Sequence, residues 1–120
     1  MTYTIHMHHT ISFQNAFRGI WTAIITQTNI RIHFIIGSFV LSAAVYFHLT
    51  FDKLIDLIIA ISLVMTAEMV NTAIEFISDA VTFEYDENIK RAKDIAAGAV
   101  LMSAIFAVFI GLMIFLPEIL

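Results

Sequence analysis

Four polar side chains interrupt a long apolar segment and share one face of the helix that this segment predicts. They are Glu68, Asn71, Glu75 and Asp79. At about 100° per residue, the four positions fall within an arc of about 80°, and we call them the polar stripe. Carboxylates are costly inside a membrane helix, so each one marks a candidate functional site. The stripe therefore predicts chemistry carried by one membrane helix.

Composition supports a membrane protein. The chain has 120 residues, of which 60% are hydrophobic and 13% charged, and its mean hydropathy is +0.90. A soluble domain of ordinary composition carries about 25% charged residues. With four glycines, one proline and no cysteine, the chain favours helices and excludes a disulfide framework. The net charge of −4 indicates no nucleic-acid partner.

The hydrophobic pattern predicts four helices within a single domain spanning 1–120. The first, over about 11–28, is amphipathic and is expected to lie on the membrane surface. Three longer apolar segments, over about 32–49, 54–81 and 92–116, are long enough to cross a bilayer, and Pro117 is expected to close the last. The predicted fold class is an all-α membrane protein with one surface helix and three transmembrane helices. Three helices bury few polar groups, which favours a homo-oligomer.

The distribution of basic residues predicts the orientation of these helices. One side of the predicted bundle carries Lys53 alone. The other side carries five basic residues: Arg18, Arg31, Lys90, Arg91 and Lys93. By the positive-inside rule the amino terminus, the surface helix and the polar loop 82–91 lie in the cytoplasm, with the carboxyl terminus outside. We therefore expect a multi-pass protein of the cytoplasmic membrane, with the polar stripe reaching the cytoplasmic interface.

The polar stripe suits two kinds of chemistry. Glu68 and Glu75 lie two helical turns apart with Asn71 between them, and their oxygens suit a hard cation such as Mg²⁺. A carboxylate deeper in the apolar region can instead act as a general base. Glu68 is the deeper one and the better candidate base, whereas Glu75 is the better metal ligand. The alternative is that these side chains only form hydrogen bonds between helices, and an interfacial contact is the favoured interpretation of Asp79.

Two further groups of residues are candidate sites. Lys93 and Asp94 open the last helix, where the lysine could hold a phosphate and Asp94 could hold the lysine or a metal. The alternative is a lysine anchored at the interface and a favourable charge near a helix amino terminus. His6, His8 and His9 are interpreted as solvated residues. A phosphate-binding loop of the Gly-rich, Lys-Ser/Thr type does not occur in the sequence.

Motifs over most of the chain resemble those of a known family. The specific ones are EMVNTAIEFISD over 68–79 and AKDIAAGAV over 92–100, supported by NAFRGI over 15–20 and NIRIH over 29–33. In their order and spacing they resemble the small prokaryotic integral-membrane lipid kinases, which include diacylglycerol kinase and the undecaprenol kinase of Gram-positive bacteria. The AGAV and RIH segments are more similar to the undecaprenol kinase branch.

The resemblance implies a fold, an activity and a set of site residues. It implies a homotrimer that transfers the γ-phosphoryl group of ATP, with Mg²⁺, to the hydroxyl of a membrane lipid alcohol at the cytoplasmic interface. Carried over by motif, Glu68 is the catalytic base, Glu75 a metal ligand and Asn71 a neighbouring active-site residue. The residues at positions of nucleotide or phosphate contact are Glu84, Tyr85, Asp86, Lys93 and Asp94.

One position departs from the family's pattern. The family usually has a metal-binding glutamate where this chain has Gln27. A glutamine oxygen can still coordinate Mg²⁺, but it lacks the charge that a hard cation favours. Three explanations stay open: a natural variant with weakened Mg²⁺ binding, an engineered inactive form, or a metal held differently.

Two other classes of function are compatible with the sequence. A small proton-coupled transporter would use Glu68 or Glu75 as its membrane carboxylate, and would need no ATP. A non-catalytic membrane oligomer of the same fold would have lost activity with Gln27. The pairing of Lys93 and Asp94 beside an acidic loop favours the kinase over the transporter.

Overall fold

The computed structural model describes residues 12–81 and 83–120, which fold into four α-helices joined by short connections. They are α1 (Phe13–Thr26), α2 (Thr28–Tyr46), α3 (Phe51–Val81) and α4 (Glu87–Ile119). The last three are each long and apolar enough to cross a membrane. This confirms the predicted class, an all-α membrane protein with one further helix. His6, His8 and His9 lie outside the described residues.

Helix α3 is the centre of the bundle, because it packs against each of the other three helices. At one end Lys53 Nζ of α3 lies 2.9 Å from Glu118 Oε1 of α4, and we call this the far end. At the opposite end, which we call the polar end, Lys93 Nζ of α4 lies 3.5 Å from Asp79 Oδ1 of α3. The two longest helices therefore run antiparallel along their whole length.

A small apolar core closes the far end. Ala44, Leu57 and Ile114, one from each membrane helix, are buried together. The rings of Phe47 and Phe115 meet edge to face beside them, with centroids 6.1 Å apart. Elsewhere most large apolar side chains are exposed on the outside of the bundle. That surface matches helices whose outer faces contact lipid, where apolar side chains need no protein partner.

Helices α1 and α2 meet at a single residue. Gln27 ends α1 and precedes α2 with an extended backbone, φ −116° and ψ 111°. We call this bend the elbow. Arg31 closes it, because its Nη1 donates to the carbonyl oxygens of Ile24 at 2.7 Å and Ile25 at 3.1 Å. Its Nη2 donates to Thr28 Oγ1 at 3.1 Å. Arg31 thus satisfies carbonyls that the end of α1 leaves without partners.

The turn after α2 uses a left-handed residue. His48 has φ 54°, and the backbone N–H groups of His48 and Leu49 donate to the carbonyls of Val45 and Ala44, at 3.1 and 3.0 Å. This is the hydrogen-bonding pattern that ends many helices with a residue in the left-handed region, usually glycine. It turns the chain sharply into α3.

Helix α4 begins and ends differently from the expectation. It starts at Glu87 rather than near Ala92, since Asp86 Oδ1 accepts from the N–H groups of Asn88 and Ile89 at 2.9 and 3.0 Å. Pro117, expected to close the helix, lies inside it. A proline lacks an N–H donor. Because Pro117 lies close to the carboxyl end of α4, the helix loses a single hydrogen bond and still completes its last turn.

Helix α1 exposes its apolar face. Phe13, Phe17 and Trp21 are 79%, 68% and 62% exposed, whereas Ala23 is buried against the bundle. Ser12 caps the helix, because its Oγ accepts from the N–H of Asn15. The apolar face has no partner among the described residues, as expected for a helix that lies on a membrane surface.

Candidate active site

Glu68 is the most deeply buried member of the polar stripe. Only 3% of the residue is exposed, although it lies on a helix long enough to span a bilayer. Its Oε1 lies 3.2 Å from Nε2 of His33 on α2. A buried carboxylate without a partner is strongly unfavourable, so this contact explains how α3 carries Glu68 at such depth.

Asn71 and Glu75 form a second polar group one turn closer to the polar end. Asn71 Nδ2 donates to Glu75 Oε1 at 3.4 Å, and both residues are half-buried. The other amide atom, Asn71 Oδ1, is buried without a hydrogen-bond partner. Buried polar atoms are nearly always paired, so this oxygen marks a position where a ligand would complete the site.

The oxygens of Asn71 and Glu75 are hard donors of the kind that Mg²⁺ prefers. Among residues 12–81 and 83–120, no group of three histidine, cysteine or acidic side chains is placed to hold a metal. Gln27 stands at the elbow, where its Nε2 donates to Thr26 Oγ1 at 3.3 Å, and in the described chain it makes no hydrogen bond to Glu75. One subunit alone therefore brings together two oxygen-bearing side chains, those of Asn71 and Glu75.

The ion pairs near the start of α4 differ from the pairing of Asp94 with Lys93 that the sequence suggested. Lys93 contacts Asp79 of α3, as given above, whereas Asp94 Oδ2 lies 2.6 Å from Nζ of Lys90. The idea that Asp94 holds Lys93 was therefore wrong. The reason is helical geometry: residues four apart share a face, whereas adjacent residues diverge by about 100°. Both pairs are largely exposed, so they leave the ammonium groups open to a stronger anionic ligand.

The predicted nucleotide-contact residues precede and open α4. Glu84 and Tyr85 are exposed in the connection between α3 and α4, and Tyr85 is 79% exposed. Asp86 uses one carboxylate oxygen to cap α4. The structure therefore places all three on the polar end, on the same side of the molecule as Lys93.

An apolar groove runs along the bundle beside Glu68. It lies between α2 and α4 on a floor formed by α3, and its volume is about 480 Å³. It extends from Phe115 near the far end to His33 near the polar end, and His33 is the one polar side chain that lines it. The groove therefore ends at the imidazole that contacts Glu68.

The sequence analysis assigned no part in the site to two residues that the structure brings into the site region. His33 contacts Glu68, and Arg31 closes the elbow that carries Gln27. An available signal was the position of His33 within an apolar helix, since ionisable groups in such helices usually face a partner or a cavity. The partner itself depends on how α2 crosses α3, which a single sequence does not specify.

Comparison with known proteins identifies the family of the chain. The family model described as prokaryotic diacylglycerol kinase matches residues 14–115. The chain is 43% identical over 111 residues to "Diacylglycerol kinase" of Synechocystis sp. (strain ATCC 27184 / PCC 6803 / Kazusa), covering 92% of this chain and 63% of that protein. It is 36% identical over 107 residues to "Undecaprenol kinase" of Bacillus subtilis (strain 168), covering 89% of this chain and 87% of that protein. The chain thus spans less than two thirds of the Synechocystis relative. It belongs to the prokaryotic diacylglycerol kinase family.

Proposed function

We propose that this protein is an ATP-dependent lipid kinase, which transfers the γ-phosphoryl group to the hydroxyl of a membrane lipid alcohol. The observation that carries the proposal is the buried Glu68, in contact with the His33 side chain that lines one end of an apolar groove. A carboxylate at this depth can meet a lipid hydroxyl that stays within the bilayer. The kinase names of both relatives support the reaction class.

In this reaction Glu68 accepts the proton of the lipid hydroxyl while the hydroxyl oxygen attacks the γ-phosphorus. The bond between the γ-phosphorus and ADP breaks, and ADP leaves. Phosphoryl transfer depends mainly on positioning and on stabilisation of charge, so a site with one base and few charged groups is sufficient. Burial of Glu68 excludes water from the carboxylate. That exclusion favours proton transfer from the bound lipid over loss of the phosphoryl group to water.

Asn71 and Glu75 would hold Mg²⁺ through the unpaired amide oxygen and the carboxylate. The bound cation would neutralise charge on the ATP phosphates. This chain's own contribution is two hard oxygens, one of them buried and unpaired. Gln27 would add at most a neutral oxygen, so we expect the affinity for Mg²⁺ to be lower than with a glutamate there.

The start of α4 would bind the triphosphate. Lys93 stands across from Asp79 at a loose 3.5 Å, so its ammonium group can turn to a phosphate. Asp94 with Lys90, and the exposed Glu84, Tyr85 and Asp86, would contact the rest of the nucleotide. The polar end would face the cytoplasm, where ATP is present, and the carboxyl terminus would lie outside.

The lining of the groove favours undecaprenol over diacylglycerol as the acceptor. A polyprenol has a single polar group, its terminal hydroxyl, whereas diacylglycerol also carries ester carbonyls, which lose hydrogen bonds in an apolar site. The groove offers one polar side chain, His33, at the end next to Glu68. A single hydroxyl placed at that end would satisfy the hydrogen-bonding groups of both the substrate and the site.

A homotrimer in the cytoplasmic membrane is the proposed assembly. Helices α3 and α4 leave a second, wider recess of about 930 Å³, lined by small residues that include Ala67, Ala92, Ala96 and Ala99. Small residues allow close approach of helices in lipid. Asn71 also lines this recess, so a neighbouring subunit seated there would cover the proposed metal ligands.

The direct test is transfer of labelled γ-phosphate from ATP to lipid by the purified protein in detergent with Mg²⁺. Undecaprenol and diacylglycerol are offered separately, with Glu68→Ala as the blank. We expect labelled undecaprenyl phosphate above the blank. Absence of product from both lipids would contradict the proposal, and proton-coupled substrate flux without ATP would favour a transporter.

The role of Glu68 has a matched control. Glu68→Gln should abolish turnover while the fold and ATP binding persist. Glu118→Gln, which removes a carboxylate from the far end, should leave turnover close to wild type. Turnover retained by Glu68→Gln would remove Glu68 from the role of base.

A further inference from the structure

We infer that His33 is a positioning residue for the proposed reaction, holding one oxygen of the Glu68 carboxylate so that the other takes the proton of the acceptor. The inference rests on the proposed function. It is carried by the contact between Nε2 of His33 and Oε1 of Glu68 and by the location of His33 at one end of the groove.

Burial makes this contact decisive for Glu68. Its side chain is 4% exposed, whereas that of His33 is 24% exposed. A carboxylate cut off from water has no solvent to orient it, so its torsion is determined by the protein groups it touches. A proton on Nε2, which one tautomer of the neutral ring and the charged ring both carry, would hold Oε1. Oε2 would then be the atom that acts as a base.

The packing of α2 on α3 brings His33 to this position. Gly37, one turn beyond His33, is buried, and a Cβ built on it would lie 3.1 Å from Ile61 Cγ2. The two helices therefore approach closely just after the histidine. At the other side of His33, Arg31 ties the first turn of α2 to the end of α1. The ring is thus carried on a backbone that is fixed on both sides.

Competing partners for the His33 ring are lacking in the described surroundings. Besides His33, the side chains that line the groove come only from apolar residues and glycine, on α2, α3 and α4. The nearest basic side chain along α2, that of Arg31, is bound to carbonyls of the elbow and to Thr28. Among the described residues, Glu68 is therefore the acidic side chain that the structure places in contact with the ring.

The kinetic test compares two replacements of His33. His33→Phe keeps a ring of similar shape without the donor, and we expect kcat to fall about tenfold to a hundredfold with KM for ATP unchanged, because small misplacement of a reacting group has effects of this size. His33→Gln can donate to Oε1 but cannot accept a catalytic proton, and it should retain most of the wild-type kcat. His48→Gln, at the other end of α2, is the matched control.

The outcomes separate positioning from other roles. Equal loss in the Phe and Gln variants would overturn the inference, because a lost donor would not be the cause. Unchanged kcat in His33→Phe would overturn it as well. If the wild-type protein transfers no phosphate to any lipid, the proposed function is wrong, and the inference that rests on it is wrong as well.

A spectroscopic measurement tests the contact without turnover. Protein labelled with ¹⁵N-histidine in detergent gives ring nitrogen resonances, and His33→Phe identifies the one from His33. Glu68→Gln should shift the Nε2 resonance of His33 and leave that of His48 unchanged. An unchanged His33 resonance would overturn the inference even for an active kinase, which distinguishes its failure from failure of the proposed function.

Discussion

Arg31→Met is predicted to loosen α1 from the membrane helices. In the native structure the guanidinium donates to two carbonyls at the end of α1 and to Thr28 Oγ1. Methionine preserves much of the apolar stem but removes every donor. The last carbonyls of α1 then lack partners, and the elbow at Gln27 loses the side chain that closes it.

The size of the effect follows from the contacts. A hydrogen bond to a charged group contributes about 1.5–3 kcal/mol when well shielded, and the three exposed contacts of Arg31 together should contribute about 1–2 kcal/mol. A loss of that size raises the population of the opened state about 5-fold to 30-fold. Amide hydrogens in the last turns of α1 should therefore exchange faster by the same factor, since they exchange through local opening.

Hydrogen exchange in lipid nanodiscs measures this, and Trp21 gives a second readout. Trp21 is the chain's single tryptophan and lies on α1, so its fluorescence reports on that helix alone. Arg18→Met is the matched control, because it removes a positive charge from α1 without touching the elbow. Exchange and fluorescence that are the same in Arg31→Met as in Arg18→Met would refute the reasoning that Arg31 anchors α1.

Three further predictions concern single positions. Gln27→Glu should raise activity at limiting Mg²⁺, measured as a Mg²⁺ titration of phosphate transfer; an unchanged titration would argue against a metal at this position. His48→Gly should stabilise the protein by about 1 kcal/mol in denaturant unfolding, because glycine adopts the left-handed backbone without the steric cost of a Cβ, and a loss of stability would contradict this. Gly37→Val should lower stability by about 1–3 kcal/mol through overpacking, and combining it with Ile61→Ala should restore part of the loss if the clash with that side chain is the cause.

The membrane class and the number of helices could be predicted because they depend on local pattern. Apolar runs of transmembrane length are visible in the sequence, and the structure has three helices that meet that criterion. The burial of Glu68 could also be predicted, because Leu57, Ala60 and Val64 share its face of α3 and are buried with it. Burial along one face of a helix follows from its periodicity.

The start of α4 carries two competing local signals. The stretch 82–91 is the most polar of the chain, which predicts a loop. Asp86 nevertheless stands where a helix cap is expected, and pairs four residues apart follow it, with Arg91 Nη2 lying 2.7 Å from Glu87 Oε1. Caps and such pairs indicate a helix even where apolar residues are few.

The contact between His33 and Glu68 could not be predicted in the same way. It depends on the crossing of two helices, which is set by the close approach at Gly37 and by the elbow. Nor does the sequence specify which of two nearby acids a lysine chooses. In the structure Lys93 pairs with Asp79, and Lys90 pairs with Asp94. These pairs are determined by the phase of α4 and by its packing on α3.

The length of α3 fits the proposed reaction, in which one helix serves both a lipid and a water-soluble substrate. Its 31 residues extend about 46 Å at 1.5 Å per residue, against a hydrocarbon thickness of about 30 Å. If Lys53 marks the outer boundary, Glu68 lies about 22 Å from it and so about 8 Å inside the opposite boundary. Glu75 lies about 33 Å from Lys53, just beyond the hydrocarbon. The spacing of two helical turns thus places the proposed base within reach of a lipid hydroxyl and the proposed metal ligand within reach of ATP.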